Sequence, residues 1–203
     1  VHRHLVRMAV VGVPTDLPVR AFPSQAALEE WLAAEHATAP GLYVQIAKKG
    51  SGVPSVTYPE LVESVLCFGW IDGRSNSLDD TSYLVRITPR RPRSVWSQKN
   101  VATVAELTAA GRMRPAGLAA VEAARADGRW DRAYAGPATA AVPDDLAAAL
   151  AAEPAAQEAF AGLDAQNRYA VLFRVQTAAT EQTRARRIAA LVTMLAEGRR
   201  PYG

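Results

Sequence analysis

The chain has 203 residues, 49% of them hydrophobic and 21% charged. That is the composition of a globular protein long enough to bury a real core. Its 23 Lys and Arg against 20 Asp and Glu leave a net charge of +3, compatible with an anionic ligand and weak for a dedicated nucleic-acid binder. A single cysteine, Cys67, excludes an intramolecular disulfide and any multi-cysteine metal site.

Residues 1–23 read as an extended lead-in, because Pro14, Pro18 and Pro23 discourage a helix. The start, VHRHLVRMAVVG, resembles a basic leader, but its apolar piece Met8–Val11 is too short for a signal peptide. With no apolar run long enough to cross a bilayer, a cytoplasmic location is expected. Ser24 reads as the N-cap of a helix to about His36, with Leu28, Trp31 and Leu32 on one face. Residues 41–48 alternate as a strand, with Leu42, Val44 and Ile46 on one side, and Lys49–Gly52 is a turn. Thr57 with Glu60 forms a capping box for a second helix carrying Leu61, Val62, Val65 and Leu66, stopped by Gly69. A short strand is expected over Trp70–Asp72, a polar loop over Asn76–Thr81, and a strand over Ser82–Thr88.

From Ser97 the pattern turns helical. Ser97 or Asn100 caps a helix ending at Gly111, and Pro115 starts another ending near Gly128. Residues 135–141 are the best linker candidate. Four Ala-rich helices follow, over about 144–153, 154–162, 165–179 and 180–198. The last repeats Ile188, Leu191, Val192 and Leu195 at helical spacing and must dock on something.

Of the three histidines, His2 and His4 at the terminus make a poor two-ligand metal site, and a Ser-His-Asp or Cys-His arrangement would have to use His36 at the end of an amphipathic helix. No phosphate-binding glycine motif is present. Neither a metal nor a cofactor is expected. Two loops carry the chemistry instead. In FGWIDGR (Phe68–Arg74), Trp70 either fills the core or lines a pocket, and Asp72 either hydrogen-bonds a ligand or orients Arg74. In PRRPRSVWS (Pro89–Ser97), two prolines stiffen a loop bearing Arg90, Arg91 and Arg93, whose guanidinium groups match carboxylate and phosphate geometry. Ser94, Ser97 and Asn100 add donors near a helix start, and Trp96 adds an aromatic rim. Arg112 lies in a basic helix–helix connector, Trp130 in the aromatic–charged cluster GRWDRAY, and Arg184, Arg186 and Arg187 on a helix face that reads as solvated.

Several of these segments together resemble the YdeI/OmpD-associated, or bacteriocin-protection, family. They are Lys48-Lys49, CFGWIDG (Cys67–Gly73), TPRRPRSVWSQKN (Thr88–Asn100), Gly111–Met113, Gly117-Leu118 and DGRWDRAY (Asp127–Tyr134). The tail segments VPDDL (Val142–Leu146), Phe160 and EQTRARRI (Glu181–Ile188) look like that family's helical end. The likeness spans about residues 20–200. It implies a role associated with bacteriocin or antimicrobial-peptide tolerance and stress response, and brings no catalytic residue or cofactor with it.

The expected architecture is α+β: a small, mostly antiparallel sheet with flanking helices over 1–135, then a helical subdomain over 142–203 packed on it. The first functional expectation is a binding protein that holds an anionic small molecule or peptide. Its cleft would lie between the two parts, lined by Trp70, Asp72, Arg90, Arg93, Trp96 and Asn100. The second is a metal-independent enzyme in the same cleft, with Asp72 as acid or base and arginines stabilising negative charge. The third, nucleic-acid binding through the arginine loops and Arg184, Arg186 and Arg187, is disfavoured by the near balance of charges.

Overall fold

The computed structural model describes residues 14–203, so the histidines at 2 and 4 and the leader-like start lie outside the described residues. The chain forms two compact units. The first runs to Ser94 and includes Thr103–Ala123, and the second comprises Val95–Ala102 and Ala124–Gly203. The second therefore starts well before the expected boundary at 142.

The first unit is built on a four-stranded mixed sheet of order β1-β2-β4-β3, with β1 at Val19–Ala21, β2 at Leu42–Ala47, β3 at Trp70–Ser77 and β4 at Ser82–Pro89. Two of the three pairings are antiparallel, and β1 joins β2 in parallel. In the β2–β4 register Leu42, Val44 and Ile46 lie opposite Ile87, Val85 and Tyr83, which makes one apolar face. The other face carries Tyr43, Gln45 and Arg86. There Tyr43 Oη and Arg86 both donate to Asp16, and Gln45 donates to Ser82 Oγ.

Helix α1 (Gln25–Glu35) starts at Ser24, whose hydroxyl accepts from Ala27 N. Helix α2 (Tyr58–Cys67) starts at the Thr57/Glu60 capping box, so both signals read from the sequence are physically made. The aromatic series Phe22, Trp31 and Trp70 joins α1 to β3, with the Trp31 and Trp70 rings edge-on at 5.8 Å.

Strand β3 is longer than the expected three residues and takes in part of the expected loop. Its register slips between Asp72 and Ser75, a bulge at Gly73 and Arg74 that turns the edge of the sheet. The turn after it is held by Asp79, whose carboxylate accepts from Thr81 N and Ser82 N.

Two further helices follow, α3 (Gln98–Ala109) and α4 (Pro115–Ala126). The start of α4 lies hard against the end of α2, where Arg114 N donates to Cys67 O at 3.0 Å.

The second unit contains helices α5 (Asp144–Ala151), α6 (Pro154–Ala161), α7 (Ala165–Gln176) and α8 (Glu181–Ala196). Leu146, Leu150, Phe160, Val171, Val175, Ile188, Leu191 and Leu195 form its core. The stripe on α8 thus docks within this unit. Asp164 and Thr180 cap α7 and α8 by accepting from the backbone amide three residues on. Residues 135–141 are tied in here: Ala135 N donates to Gln176 Oε1 and Tyr169 Oη donates to Ala135 O. No helix among the described residues is long and apolar enough to cross a membrane.

Candidate ligand-binding groove

The residues expected to share one cleft divide between the two units. Trp70, Asp72, Arg74, Arg90, Arg91, Arg93, Ser94 and Arg112 belong to the first, and Trp96, Ser97, Asn100 and Trp130 to the second. Trp96, expected on the rim, and Trp70, which the sequence leaves open between core and pocket lining, are both core residues, each 1% exposed. Trp70 Nε1 donates to His36 O at 3.2 Å. The Trp96 ring meets Trp130 edge-on at 4.9 Å, and the Arg125 guanidinium lies 5.2 Å from the Trp130 centroid. Neither Trp70 nor Trp96 offers a face to a ligand.

Asp72 does not orient Arg74; it accepts from Tyr58 Oη at 2.6 Å, while Arg74 is exposed on the bulge. Arg90 N donates to Gly69 O, and its guanidinium is partly enclosed. Arg91 and Arg93 are exposed. A turn over 91–94 is closed by Ser94 N donating to Arg91 O and Arg91 N donating to Ser94 Oγ. Ser97 is the cap of α3, accepting from Asn100 N at 3.1 Å, so Asn100 contributes its amide and not a cap of its own.

Arg112 is an ion-pair centre that sequence reading missed. It donates to Glu63 at 2.5 Å and to Glu29 at 2.8 Å. Glu63 also accepts from Gln25, and Glu29 from Ser64. Glu63 is thus tied to two partners rather than left as a solvated helix-face carboxylate. The Arg112 hydrogen bond, aided by Gln25 and despite some burial, holds its carboxyl below the usual glutamate range. Desolvation pushes the nearby Cys67 thiol up to about 11, with Arg112 and Arg114 only partly offsetting it. The thiol stays protonated and inert at neutral pH.

Asp145 shows the same pattern in the second unit. Arg184 donates to it twice, at 2.5 and 2.8 Å, and lowers its pKa. These depressed carboxylates stabilise the fold above their unfolded values, and the contribution is lost as pH falls through their folded values. The urea midpoint is therefore expected to drop between pH 5 and pH 2.5. Glu63→Gln should cost about 0.5–1 kcal/mol at pH 7, a figure discounted for solvent screening. It should cost nothing once Glu63 is protonated. A constant parent-to-variant difference across that range would contradict the assignment.

The groove with the clearest ligand chemistry lies in the second unit, between α7 and α8. Phe173, Leu191 and Met194 contribute apolar surface to it, and Arg174, Arg187 and Arg199 line it with no carboxylate among them. Its volume is about 640 Å³, within the range of small-molecule sites. Arg187 is fixed: its Nη1 donates to Arg174 O at 2.7 Å and to Thr177 Oγ1 at 3.3 Å. Arg199 pairs with Glu197, and Arg174 is exposed. A preset guanidinium beside apolar surface suits an anion with an apolar body. The sequence reads Arg187 as part of a solvated helix face or of a nucleic-acid groove. Its period marks the helix, but gives no sign that α7 lies alongside. Among the described residues no group of three or more His, Cys, Asp and Glu stands together as a metal site.

Two family models match the chain. Residues 139–198, which include five of these six groove residues, match the model described as bacteriocin-protection, YdeI or OmpD-associated. Residues 20–120 match a domain of unknown function, DUF8412. No match was found among curated proteins or among solved structures.

Proposed function

We propose that this chain, whose residues 139–198 match the model described as bacteriocin-protection, YdeI or OmpD-associated, serves such a protective role by binding an anionic ligand with an apolar body. The observation that carries this reading is the groove between α7 and α8, where three arginines and no acid line a surface that includes Phe173, Leu191 and Met194. Guanidinium groups form strong, directional hydrogen bonds with carboxylates and phosphates. Apolar surface beside them adds about 25 cal/mol per Å² removed from water. The anion is thus read through Arg174 and Arg187, and the Arg90–Arg93 loop is not needed.

The test compares ligands that share one tail and differ in the head: octanoate, octyl phosphate, octylamine and octyl glucoside, measured by calorimetry on the full chain. The two anions are expected to bind, and the amine and glucoside to bind at least about tenfold more weakly. The double substitution Arg174→Ala/Arg187→Ala should abolish that preference while the melting temperature stays near the parent's. Equal binding of anion and amine, or an anion preference that survives the double substitution, would remove the reading.

A further inference from the structure

A second hollow, in the first unit, has different chemistry. It lies at the start of α4 beside α1, has a volume of about 540 Å³, and is lined in part by Glu29, Glu30, His36, Phe68 and Arg114. Both charge signs face one space of small-molecule size. We infer that this hollow binds a small zwitterion of the α-amino acid type, its ammonium held by Glu30 and His36 and its carboxylate by Arg114.

The acceptor side is well defined. His36 Nδ1 lies 2.8 Å from Leu32 O, so it carries the proton, and in the neutral ring Nε2 is left as an acceptor. The ring packs on Phe68 at 5.3 Å, which fixes its plane. Glu29 is anchored by Arg112 and Ser64. Much of its charge is spent on Arg112, so Glu30, exposed on the next position of α1, supplies the carboxylate for an ammonium group.

The donor side is Arg114. Its backbone is pinned at both ends, N donating to Cys67 O and O accepting from Leu118 N, each at 3.0 Å. Its side chain is exposed and joins no ion pair or hydrogen bond among the described residues. Phe68 and Ala33 leave apolar lining for an aliphatic side chain. A simple anion would meet Glu30 and a simple cation would meet Arg114. A ligand bearing both charges satisfies the two sides.

Binding of L-leucine, N-acetyl-L-leucine and L-leucinamide to the full chain, followed by chemical-shift titration, tests this. Leucine is expected to give a saturable shift at His36 and Phe68, with both derivatives at least about tenfold weaker. Arg114→Ala should make leucine and leucinamide equal. Glu30→Gln should weaken leucine and strengthen N-acetyl-leucine, whose carboxylate then no longer meets a like charge. Both positions are exposed, and unchanged melting temperatures would show that the variants fold. The inference is overturned if leucine gives no saturable shift, if the derivatives bind as well as leucine, or if either variant keeps the parent's ranking. None of these outcomes depends on the groove between α7 and α8.

Discussion

Replacing Gly117 with alanine is expected to destabilise the protein by about 2–3 kcal/mol, the cost of overpacking a site that cannot relax. Helix propensity alone predicts the opposite sign, a gain of about 1 kcal/mol for Gly→Ala inside a helix. The close approach decides between them. A Cβ on Gly117 would sit 2.2 Å from Cys67 O and 2.8 Å from both Cys67 C and Leu66 O. All three are backbone atoms at the end of α2, and no rotamer can move them away. Gly69 makes the reciprocal demand: its φ is +72°, and a Cβ there would lie 2.7 Å from Ala116 O. The two glycines let the turn after α2 and the first turn of α4 touch through their backbones. Urea denaturation of Gly117→Ala beside Gly162→Ala provides the measurement. Gly162 has φ −84° and would place its Cβ no closer than 3.7 Å to its neighbours, so that change should stay within about 0.5 kcal/mol of the parent. Equal stability of the two variants would mean that α4 shifts without cost.

Trp96→Ala is expected to cost about 3–5 kcal/mol, the usual penalty for emptying a large buried aromatic site. The indole is 1% exposed and meets Trp130 edge-on with an interplanar angle of 61°. The flanking backbone is fixed on both sides of it: Tyr134 N donates to Trp96 O, and Gln98 N donates to Tyr134 O, each at 2.9 Å. A double-mutant cycle with Trp130→Ala should return a coupling of about 1 kcal/mol for the ring pair. A Trp96→Ala variant that melts with the parent would show that the indole contributes no packing and would reopen its reading as a ligand platform. Loss of ligand binding in this variant is not evidence of contact unless its fold has been checked first.

Much of the helical framework was legible because local chemistry dictates it. Ser24 and Thr57 with Glu60 make the hydrogen bonds their spacing implies. Gly69, Gly111, Gly128 and Gly198 close helices with positive φ. Two strand segments were missed, for different reasons. Val19–Ala21 is only three residues long, sits among prolines, and exists because β2 lends it a parallel partner. Residues 73–77 are polar because they lie on an exposed edge, so they show no alternation. Their strand geometry comes from backbone pairing with β4.

The site residues were less legible, since their meaning depends on distant partners. Arg112 meets Glu63 and Glu29 across 49 and 83 positions of sequence, and no local pattern encodes that. Loops rich in Arg and Trp look alike whether the indole is a platform or a keystone. Burial distinguishes the two, and burial is set by the tertiary fold.

The second unit is not one stretch of chain, and this limits how it can be inherited. Its seam of Trp96, Ser97 and Tyr134 joins residues 95–102 to the segment before the helical tail. Tyr134 in turn rests edge-on against Phe173 at 4.9 Å, inside the stretch that carries the family signature. A cassette cut at residue 139 would reach a new gene with that flank of Phe173 bare. A lineage that reuses the tail must either carry the upstream strip along or evolve a substitute for it, so gene fusions preserving only residues 139–198 should be accompanied by a replacement aromatic at that position.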